Sequence, residues 1–222
     1  MFRLGLTGSI GTGKSTTAAI FREFGIPVYD ADAAVHALYE GEAVAPIEAA
    51  FPGTTRDGVV DRKALGALVT GQPERFKTLE AIVHPLVRAK EEAAMAEAKR
   101  NGADLIVLDI PLLFETGAEG RCDEILVTVV DPEEQKRRVL ARPGMNEALF
   151  HAILARQMPM EEKRRRAHAI LDTGHGIDAA RVEIRKLLDD LAPKLRARAI
   201  SGQGQTDRPE NAKKNKMRER LT

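Results

Sequence analysis

The chain has 222 residues, of which 43% are hydrophobic and 30% charged, a composition that is typical of a globular protein and excludes a wholly disordered one. Its 34 lysine and arginine residues almost cancel its 33 aspartate and glutamate residues, and only 4% of the chain is aromatic. Because this gives neither a strong positive field nor a set of stacking side chains, we expect no nucleic acid among its partners.

The cysteine content and the apolar residues indicate where the protein works. A single cysteine, Cys122, allows no internal disulfide and no thiolate cage for zinc, which favours a reducing compartment. No secretory signal is visible at the start, because glycines interrupt the apolar residues before a signal core can form. No apolar run approaches the ~20 residues that a membrane-spanning helix needs. We expect a cytoplasmic protein without a membrane partner.

The first part of the chain predicts alternating strands and helices. Residues 2–7 form a short apolar strand, and an alanine-rich helix over 13–24 follows it and ends at a glycine. Residues 27–30 predict a second strand. Asp30 then occupies the N-cap position of a helix over 31–39.

The pattern changes between residues 42 and 102, where helices are predicted at 42–51, 61–69 and 73–100 without a strand of comparable strength. Apolar residues recur at helical spacing in the last of these, and Pro85 is expected to kink or divide it. A helical block between strands is typical of a substrate lobe on a nucleotide-binding core. Packing helices without a site are the alternative.

Strands return in the second half of the chain. Residues 104–109 and 124–130 are near-continuous aliphatic runs, which is the pattern of strands buried on both faces of a parallel sheet. Residues 169–172 are a weaker fifth strand. The predicted helices of this half lie at 132–141, at 146–157 and from about 178 onward. Five strands with helical crossovers predict an α/β fold with a doubly wound, parallel five-stranded sheet.

After Ala199 the composition shifts to glycine, polar and basic residues with almost no large apolar side chain. Residues 200–222 therefore predict a disordered basic tail. Its lysines and arginines suit either contact with nucleic acid or a solvated chain end, and we favour the chain end.

The strongest motif lies at residues 8–15, where GSIGTGKS matches G-x-x-x-x-G-K-[ST] between a predicted strand and a predicted helix. Glycines let backbone N–H groups turn toward phosphates, and the helix N-terminus adds partial positive charge. We expect Lys14 to reach the β- and γ-phosphates of a nucleotide and the Ser15 hydroxyl to ligate Mg²⁺. The residues predicted to bind the nucleotide are Gly11, Thr12, Gly13, Lys14, Ser15 and Thr16.

This phosphate loop predicts a nucleotide but not a reaction. The guanine-reading motif Asn-Lys-x-Asp is absent from the sequence, which disfavours a GTP-dependent switch. Asp30 and Asp32 lie at the carboxyl end of the second predicted strand, where α/β proteins bind ligands. One of them can take the proton of an attacking hydroxyl while the loop holds the γ-phosphate, so the pattern favours a small-molecule kinase. Both can instead be helix-capping carboxylates, and for Asp30 we favour the cap.

The residues around the loop resemble the dephospho-CoA kinase family. The stretch GLTGSIGTGKST at 5–16 and the D-A-D at 30–32 match the opening of that family. Later stretches of the family pattern follow in order, namely Asp57-Gly58, Asp61-Arg62, Leu79-Glu80, His84-Pro85, the PLLFE at 111–115, Gln135 with Arg138 and Arg142, and Arg156-Gln157. The resemblance covers about residues 2–195.

The resemblance implies ATP-dependent, Mg²⁺-assisted phosphorylation of the ribose 3′-hydroxyl of dephospho-coenzyme A, the last step of coenzyme A biosynthesis. By position, Asp32 resembles the catalytic base, Lys14 the phosphate-loop lysine and Arg142 a lid arginine near the transferring phosphates. The kinase domain is expected over residues 2–199. It would comprise a CoA-binding lobe at about 42–102 and a water-excluding lid at about 142–158.

Further residues are candidates for substrate or metal contacts. Arg138 and Gln157 are expected to bind substrate, Glu115 to line the cleft, and His84 to be either a contact of the substrate lobe or a packing histidine. Asp109 ends the third strand and can hold Mg²⁺ through water or be a plain strand-end carboxylate.

The chain departs from the family pattern at a few positions, and two rival functions remain. Ser9 and Thr12 replace the usual loop residues, and Asp172-Thr173-Gly174 stands where the family has Asn-x-Gly near the adenine. The rivals are a phosphate-loop kinase for a nucleoside monophosphate or sugar, and an ATPase module that drives a partner.

Overall fold

The structure is a computed structural model and describes residues 1–203. Within these residues the strands are β1 (Phe2–Gly8), β2 (Val28–Asp30), β3 (Thr55–Arg56), β4 (Val59–Val60), β5 (Leu105–Asp109), β6 (Glu124–Val129) and β7 (Ala169–Asp172). The helices are α1 (Lys14–Glu23), α2 (Ala31–Tyr39), α3 (Val44–Ala50), α4 (Arg62–Val69), α5 (Pro73–Arg100), α6 (Pro132–Leu140), α7 (Glu147–Leu154), α8 (Met160–Arg166) and α9 (Ile177–Gln203), with a 3₁₀ turn at Ala118–Arg121.

The central sheet has five parallel strands in the order β2-β5-β1-β6-β7. Its inner strands are covered on both sides, and every residue of β5 is buried. This burial explains the near-continuous aliphatic runs, because a parallel sheet has helices against both faces. The predicted fold class is confirmed.

The strand directions place the functional residues at one edge of the sheet. β1 pairs with β5 on one side and with β6 on the other. The strands β2 and β5 are added on one side of β1 and the later strands β6 and β7 on the other, so the strand order reverses beside β1. In such folds ligands bind outside the carboxyl ends of the strands at this reversal. The segment after β1, the end of β2 at Asp30 and the end of β5 at Asp109 all lie at this edge.

Two apolar layers hold the helices to the sheet. On one face α1 and α9 pack through buried side chains such as Phe21, Ile184 and Leu191. On the other face Leu108 and Ile125 belong to a second cluster. Each large apolar side chain that is fully buried contributes about 1.5–3 kcal/mol relative to an exposed one. These two layers therefore hold the sheet between helices, including the carboxyl ends of its strands where the functional residues lie.

Helices α2 to α5 form a lobe beside the sheet with an apolar cluster of its own, which includes Leu38, Ile47 and Leu65. The long helix α5 is continuous from Pro73 to Arg100, so the expectation that Pro85 divides it is wrong. Pro85 costs α5 one backbone hydrogen bond and crowds the carbonyl one turn earlier, but residues on both sides of it are buried, including Leu79 and Glu91, and hold the helix in place. A kink at Pro85 stays a prediction.

The lobe also contains a two-stranded hairpin that the sequence analysis missed, β3 paired with β4. Asp57 and Gly58 connect the strands, and both have positive φ, 53° and 78°. Asp-Gly is the preferred connection for a two-residue hairpin turn, so the signal was present. The strands were missed because each is only two residues long.

Three other boundaries differ from the prediction. The helix predicted to reach residue 157 ends at Leu154, which leaves Gln157 in the turn before α8. α8 itself was seen only as a basic run. α9 continues to Gln203, past the predicted start of the tail at residue 200, and the rest of that tail lies outside the described residues.

In the part of the chain that the structure describes, no helix has both the length and the apolar character to cross a membrane.

Candidate active site

The phosphate loop connects β1 to α1 and is braced by side-chain hydroxyls. The Thr12 hydroxyl donates to the Ser9 carbonyl at 2.8 Å, and it also lies 2.8 Å from the hydroxyl of Thr128 on β6. Thr173, beyond β7, donates its hydroxyl to the Thr12 carbonyl at 3.0 Å. The loop is therefore tied to two neighbouring strands, and Thr12 is one of the residues by which this chain departs from the family pattern.

Two of the loop glycines have no room for a side chain. Gly13 has a φ of 87°, and a Cβ there would lie 2.9 Å from the Thr173 hydroxyl oxygen. A Cβ on Gly8 would lie 2.1 Å from the Thr128 hydroxyl oxygen. The glycines of the motif are thus required by the close approach of β6 and of the segment after β7, as well as by the expected phosphates.

Ile10, in the middle of the loop, is held by glutamines on both of its backbone polar groups. Its N–H donates to Gln157 Oε1 at 3.0 Å, and its carbonyl accepts from Gln135 Nε2 at 2.7 Å. Gln135 lies on α6 and Gln157 in the turn after α7. The loop is therefore connected to α6 through Gln135 and, through Gln157, to the end of the predicted lid segment, defined as residues 142–158.

A cavity of about 360 Å³ opens above the loop. Its lining comprises residues 8–16 of the loop and first helical turn together with Asp32, Pro111, Arg142, Ile153 and Gln157. It brings the predicted base, Asp32, to the same space as Lys14, Ser15 and Arg142, the predicted lid arginine. Residues from four separated parts of the chain thus converge on one cleft.

The two carboxylates of D-A-D have different surroundings. Asp30 is the N-cap of α2 and accepts the Ala33 N–H at 2.9 Å, as expected for a capping side chain. Asp32 lies in the first turn of α2 and lines the cavity. The capping role predicted for Asp30 is confirmed.

Lys14, which lines this cleft, forms an ion pair with the buried Asp109. The Lys14 ammonium donates to Asp109 Oδ1 at 2.6 Å, and the Asp109 side chain is only 3% exposed. Burial raises the pKa of Asp109 above its ordinary value, against the opposing effect of Lys14, while nearby Asp30 raises it further. The lysine predicted to reach the phosphates is thus held by a carboxylate at the end of β5.

A second cavity of about 250 Å³ adjoins the loop on the side of β7 and α9. Its lining is Gly11, Gly13, Thr16, Thr17, Arg138, Arg142, Thr173, Gly176, Ile177 and Ala180. Arg138 donates to both the hydroxyl and the carbonyl of Thr173 at 2.9 Å. This cavity shares Arg142 and the loop glycines with the first, so a single ligand can extend through both.

Glu134 orients Arg138 from the same helix. It accepts from Arg138 Nε at 2.7 Å and also binds Arg137. The hydrogen bonds from Arg137 and Arg138 hold the pKa of Glu134 at about 2. Arg138 is therefore fixed between Glu134 and Thr173 at the wall of the second cavity.

Three residues predicted to contact substrate or metal line neither cavity, namely Asp109, His84 and Glu115. His84 is exposed, and its ring lies 3.8 Å from the Glu80 carboxylate one turn earlier on α5. Glu115 points beneath the lid, where Lys163 lies 2.8 Å from its carboxylate. In contrast, Thr173 and Gln135 contact the loop directly and were not chosen as site residues. The D-T-G at 172–174 and the Q-x-x-R pattern were the available signals for them.

The donor set around the loop suits a magnesium ion that is bound mainly through phosphate and water. Among residues 1–203 no group of three or more histidine, cysteine, aspartate or glutamate side chains is placed to hold a metal. The Ser15 hydroxyl lines the first cavity, and the buried Asp109 carboxylate lies beside Lys14. Mg²⁺ in kinases typically takes few protein ligands and keeps several waters. Ser15 fits that role as a direct ligand, and Asp109, which lines neither cavity, fits it only through water.

Comparison with known proteins assigns this arrangement to a family. A family model described as dephospho-CoA kinase matches residues 2–178. The dephospho-CoA kinase of Mesorhizobium japonicum is 58% identical over 191 residues, 86% of this chain and 97% of the relative. That of Rhizobium meliloti is 56% identical over 86% of this chain and 98% of the relative.

Solved structures give the same result. A Thermus thermophilus protein superimposes with a TM-score of 0.75 at 41% identity, covering 86% of this chain and 98% of that one. The dephospho-CoA kinase of Campylobacter jejuni superimposes with a TM-score of 0.64 at 27% identity over the same shares of the two chains.

Proposed function

The chain belongs to the dephospho-CoA kinase family and is therefore a kinase that acts in the last step of coenzyme A biosynthesis. We propose that it phosphorylates dephospho-coenzyme A in the cleft between the phosphate loop and Asp32. The phosphoryl donor is a nucleotide, which we take to be ATP, and the acceptor is the ribose 3′-hydroxyl. Family membership decides against the two rivals, the nucleoside monophosphate or sugar kinase and the ATPase module.

One observation carries the assignment of the site. Asp32, from the start of α2, lines the same 360 Å³ cavity as Lys14 and Arg142. A phosphoryl transfer requires an acceptor and a donor in line, with a proton acceptor on one side and cations on the other. In this cleft the Asp32 carboxylate comes from α2, the Lys14 ammonium from α1 and the Arg142 guanidinium from the α6–α7 connection, and all three line the same cavity.

Asp32 is the group that we assign to the acceptor hydroxyl. A ribose hydroxyl is a weak nucleophile, and the transition state of phosphoryl transfer is loose, so a base mainly orients the hydroxyl and accepts its proton late. The neighbouring Asp30 is occupied by the cap of α2. Of the two carboxylates, Asp32 is therefore the one available to the substrate.

Lys14 is assigned to the β- and γ-phosphates. Its ammonium donates to Asp109 and so does not depend on solvent for its orientation. Its position at the first residue of α1 places it where phosphates are attracted by the helix N-terminus. A preoriented cation in a partly dry cleft stabilises the charge that spreads over the γ-phosphate oxygens during transfer.

Arg142 and the lid segment are assigned to closure over the reacting groups. Arg142 lines both cavities and lies in the connection between α6 and α7, from which it can approach the phosphates. Closure of such a segment removes water, which competes with the ribose hydroxyl as acceptor. Gln157, at the other end of the lid, contacts the loop itself.

Mg²⁺ is the metal that we assign to this site, with Ser15 and Asp109 as the residues that would hold it. Bound there, it would neutralise charge on the phosphates of the donor. Asp109 then has two partners available, the ammonium of Lys14 and the hydrated metal.

The remaining assignments concern the substrate lobe and the second cavity. We assign the nucleoside part of the donor to the 250 Å³ cavity beside Arg138 and Thr173, which continues directly from the loop glycines. The lobe of α2 to α5 is assigned to the CoA portion of the acceptor, because α2 leads from Asp32 into it. His84 is exposed on this lobe and stays a predicted contact. A cytoplasmic location likewise stays a prediction.

The experiment that tests the proposal is a coupled assay of the purified protein with ATP, Mg²⁺ and a panel of acceptors. The panel contains dephospho-coenzyme A, AMP, adenosine and simple sugars, and the product is identified by mass spectrometry. We expect phosphate on the 3′-hydroxyl of dephospho-coenzyme A and no comparable product from the others. ADP release without a phosphorylated acceptor would contradict the proposal.

A further inference from the structure

A buried ion pair lies beneath the end of the lid segment, apart from the two cavities. The Lys163 side chain on α8 is 0% exposed, and its ammonium lies 2.8 Å from Glu115 Oε1. The same oxygen accepts the backbone N–H of Met158 at 2.7 Å. Within the described residues the structure gives Lys163 no other carboxylate partner. The pair thus joins the segment after β5, α8 and the end of the lid.

A pair of this kind is not explained by stability alone. Removing two charges from water cancels most of their attraction, so apolar residues of similar size often serve as well. What the pair does provide is a fixed position for the carboxylate. Burial raises the pKa of Glu115, but the contacts with Lys163 and the Met158 N–H outweigh burial and leave the pKa below its ordinary value. The carboxylate is therefore ionised and accepts the Met158 N–H as a charged group.

The bond to Met158 sets the position of the preceding residue. The N–H of Met158 belongs to the peptide group that also contains the carbonyl of Gln157, and this group is planar. The hydrogen bond to Glu115 fixes this peptide group and so restricts the position of the Gln157 Cα atom. With its backbone held there, Gln157 accepts the Ile10 N–H through Oε1 at 3.0 Å. A continuous series of contacts therefore runs from Lys163 through Glu115 and Gln157 to the phosphate loop.

We infer that Glu115, held by Lys163, is a positioning residue that aims Gln157 at the Ile10 N–H and so keeps the phosphate loop in the shape that receives a nucleotide. This role replaces the expected contact of Glu115 with substrate, because the carboxylate lines neither cavity. It rests on the proposed use of the loop for nucleotide binding. Loss of the anchor weakens the hydrogen bond that orients the Ile10 N–H, and the loop then depends on the bonds from Thr12 to the Ser9 carbonyl and from Gln135 to the Ile10 carbonyl.

The test is a double-mutant cycle on Glu115 and Gln157, two side chains joined through the Met158 peptide. Glu115→Leu, which removes the acceptor of the Met158 N–H, Gln157→Ala and the double variant are compared with the wild type for the ATP dissociation constant without acceptor, and for kcat and both KM values. Each single change is expected to weaken ATP binding roughly tenfold, the effect of losing one well-placed hydrogen bond. The double variant should bind ATP no more weakly than the weaker single variant. The KM for dephospho-coenzyme A should stay within about twofold.

Two outcomes would overturn the inference. Losses that multiply in the double variant would show that the two residues act independently. A rise confined to the KM for dephospho-coenzyme A would show that Glu115 touches the substrate. The ATP measurement needs no acceptor, so it stands even if the wild-type protein fails to phosphorylate dephospho-coenzyme A, a result that would defeat only the proposed function.

Control variants separate positioning from folding. Glu162→Gln changes another ion-paired carboxylate on α8, one that binds Arg166 at 2.6 Å, and should leave ATP affinity unchanged. Glu115→Leu with Lys163→Met removes both buried charges and the acceptor of the Met158 N–H and keeps the site filled, so it should fold and still bind ATP as weakly as Glu115→Leu. Wild-type affinity in that folded variant would contradict the inference. If the Glu115 variants do not fold, Gln157→Ala decides, because unchanged ATP affinity there would also contradict it.

Discussion

The ammonium of Lys14 lies 2.6 Å from the carboxylate of Asp109. The two side chains are 17% and 3% exposed, so the pair is largely shielded from solvent. The residue that we assign to the phosphates is therefore already the partner of a buried carboxylate. Nucleotide binding must offer Lys14 a stronger partner than Asp109, which the β- and γ-phosphates do by their higher charge.

Lys14→Met is expected to lower kcat by about 10²–10³-fold, the effect of removing one preorganised donor to developing charge. It should also lower the melting temperature, since it leaves a buried carboxylate without its partner at a cost of about 1–3 kcal/mol. Adding Asp109→Asn should restore the melting temperature and leave turnover low. Steady-state kinetics and thermal denaturation of the three variants measure both effects. Lys90→Met removes an exposed lysine paired with Glu42 and is the control. Near-native turnover in Lys14→Met would remove the loop lysine from the mechanism.

Asp32→Asn is expected to reduce kcat by about 10²–10⁴-fold, the usual contribution of a general base, with little change in ATP affinity. The amide keeps the size of the side chain but cannot accept the proton of the hydroxyl.

Asp30→Asn is the matched control, because asparagine also caps helices and should keep most of the activity. Kinetics of both variants with dephospho-coenzyme A measure the ranking. An inactive Asp30→Asn beside an active Asp32→Asn would reverse the assignment of the base.

Gly13→Ala is expected to abolish measurable ATP binding and to destabilise the protein by at least about 1–2 kcal/mol, the cost of a left-handed backbone for a residue with a Cβ. The new methyl group also meets the Thr173 hydroxyl oxygen at 2.9 Å. Calorimetric titration with ATP and urea denaturation measure the two effects. Gly66→Ala on α4 is the control, because no atom lies within 4 Å of its Cβ position, and it should stabilise the helix by about 0.5–1 kcal/mol. Tight ATP binding by Gly13→Ala would show that the loop tolerates a side chain there.

Glu134 should make the stability of the protein depend on pH in a defined window. Its pKa is about 2 in the folded protein against an ordinary value of 4.5, so the unfolded chain binds more protons between these values. The stabilising contribution is complete above about pH 4.5 and is lost as the pH falls toward 2. Urea midpoints of the wild type and Glu134→Gln should therefore differ most at pH 6–7, differ less at pH 3 and converge only as the pH reaches about 2. A constant difference across this range would contradict the assigned pairing with Arg137 and Arg138.

The Cys122 thiol is expected to react slowly with thiol reagents in the native protein. Burial raises its pKa to about 11, against the opposing effect of Arg121, so only about 0.1% is thiolate at pH 8. Reaction with a chromogenic disulfide should be slow in buffer and fast in denaturant, and the ratio of the two rates is the measurement. A fast native reaction would show that the thiol is exposed and activated.

Local chemistry let the sequence predict much of this protein. Four of its features depend on residues that are close together in the chain: the phosphate loop, the cap at Asp30, the aliphatic strands and the candidate base Asp32. The aliphatic strands β5 and β6 were visible because a parallel sheet buries both faces and leaves no polar alternation. The family pattern added Arg142 and the order of the remaining motifs.

Contacts between distant residues were decided only by the tertiary structure. Glu115 belongs to a recognisable motif, yet its partners Met158 and Lys163 lie more than forty residues further on, and they turn it from the cleft to the base of the lid. Thr173 reaches Thr12 across 161 residues. Which side chain fills the space left by a loop glycine depends on how the neighbouring strands pack, and no local pattern carries that information. The sequence by itself thus determined the chemistry of the reacting groups, and the packing of β6, β7 and α8 determined how they are held.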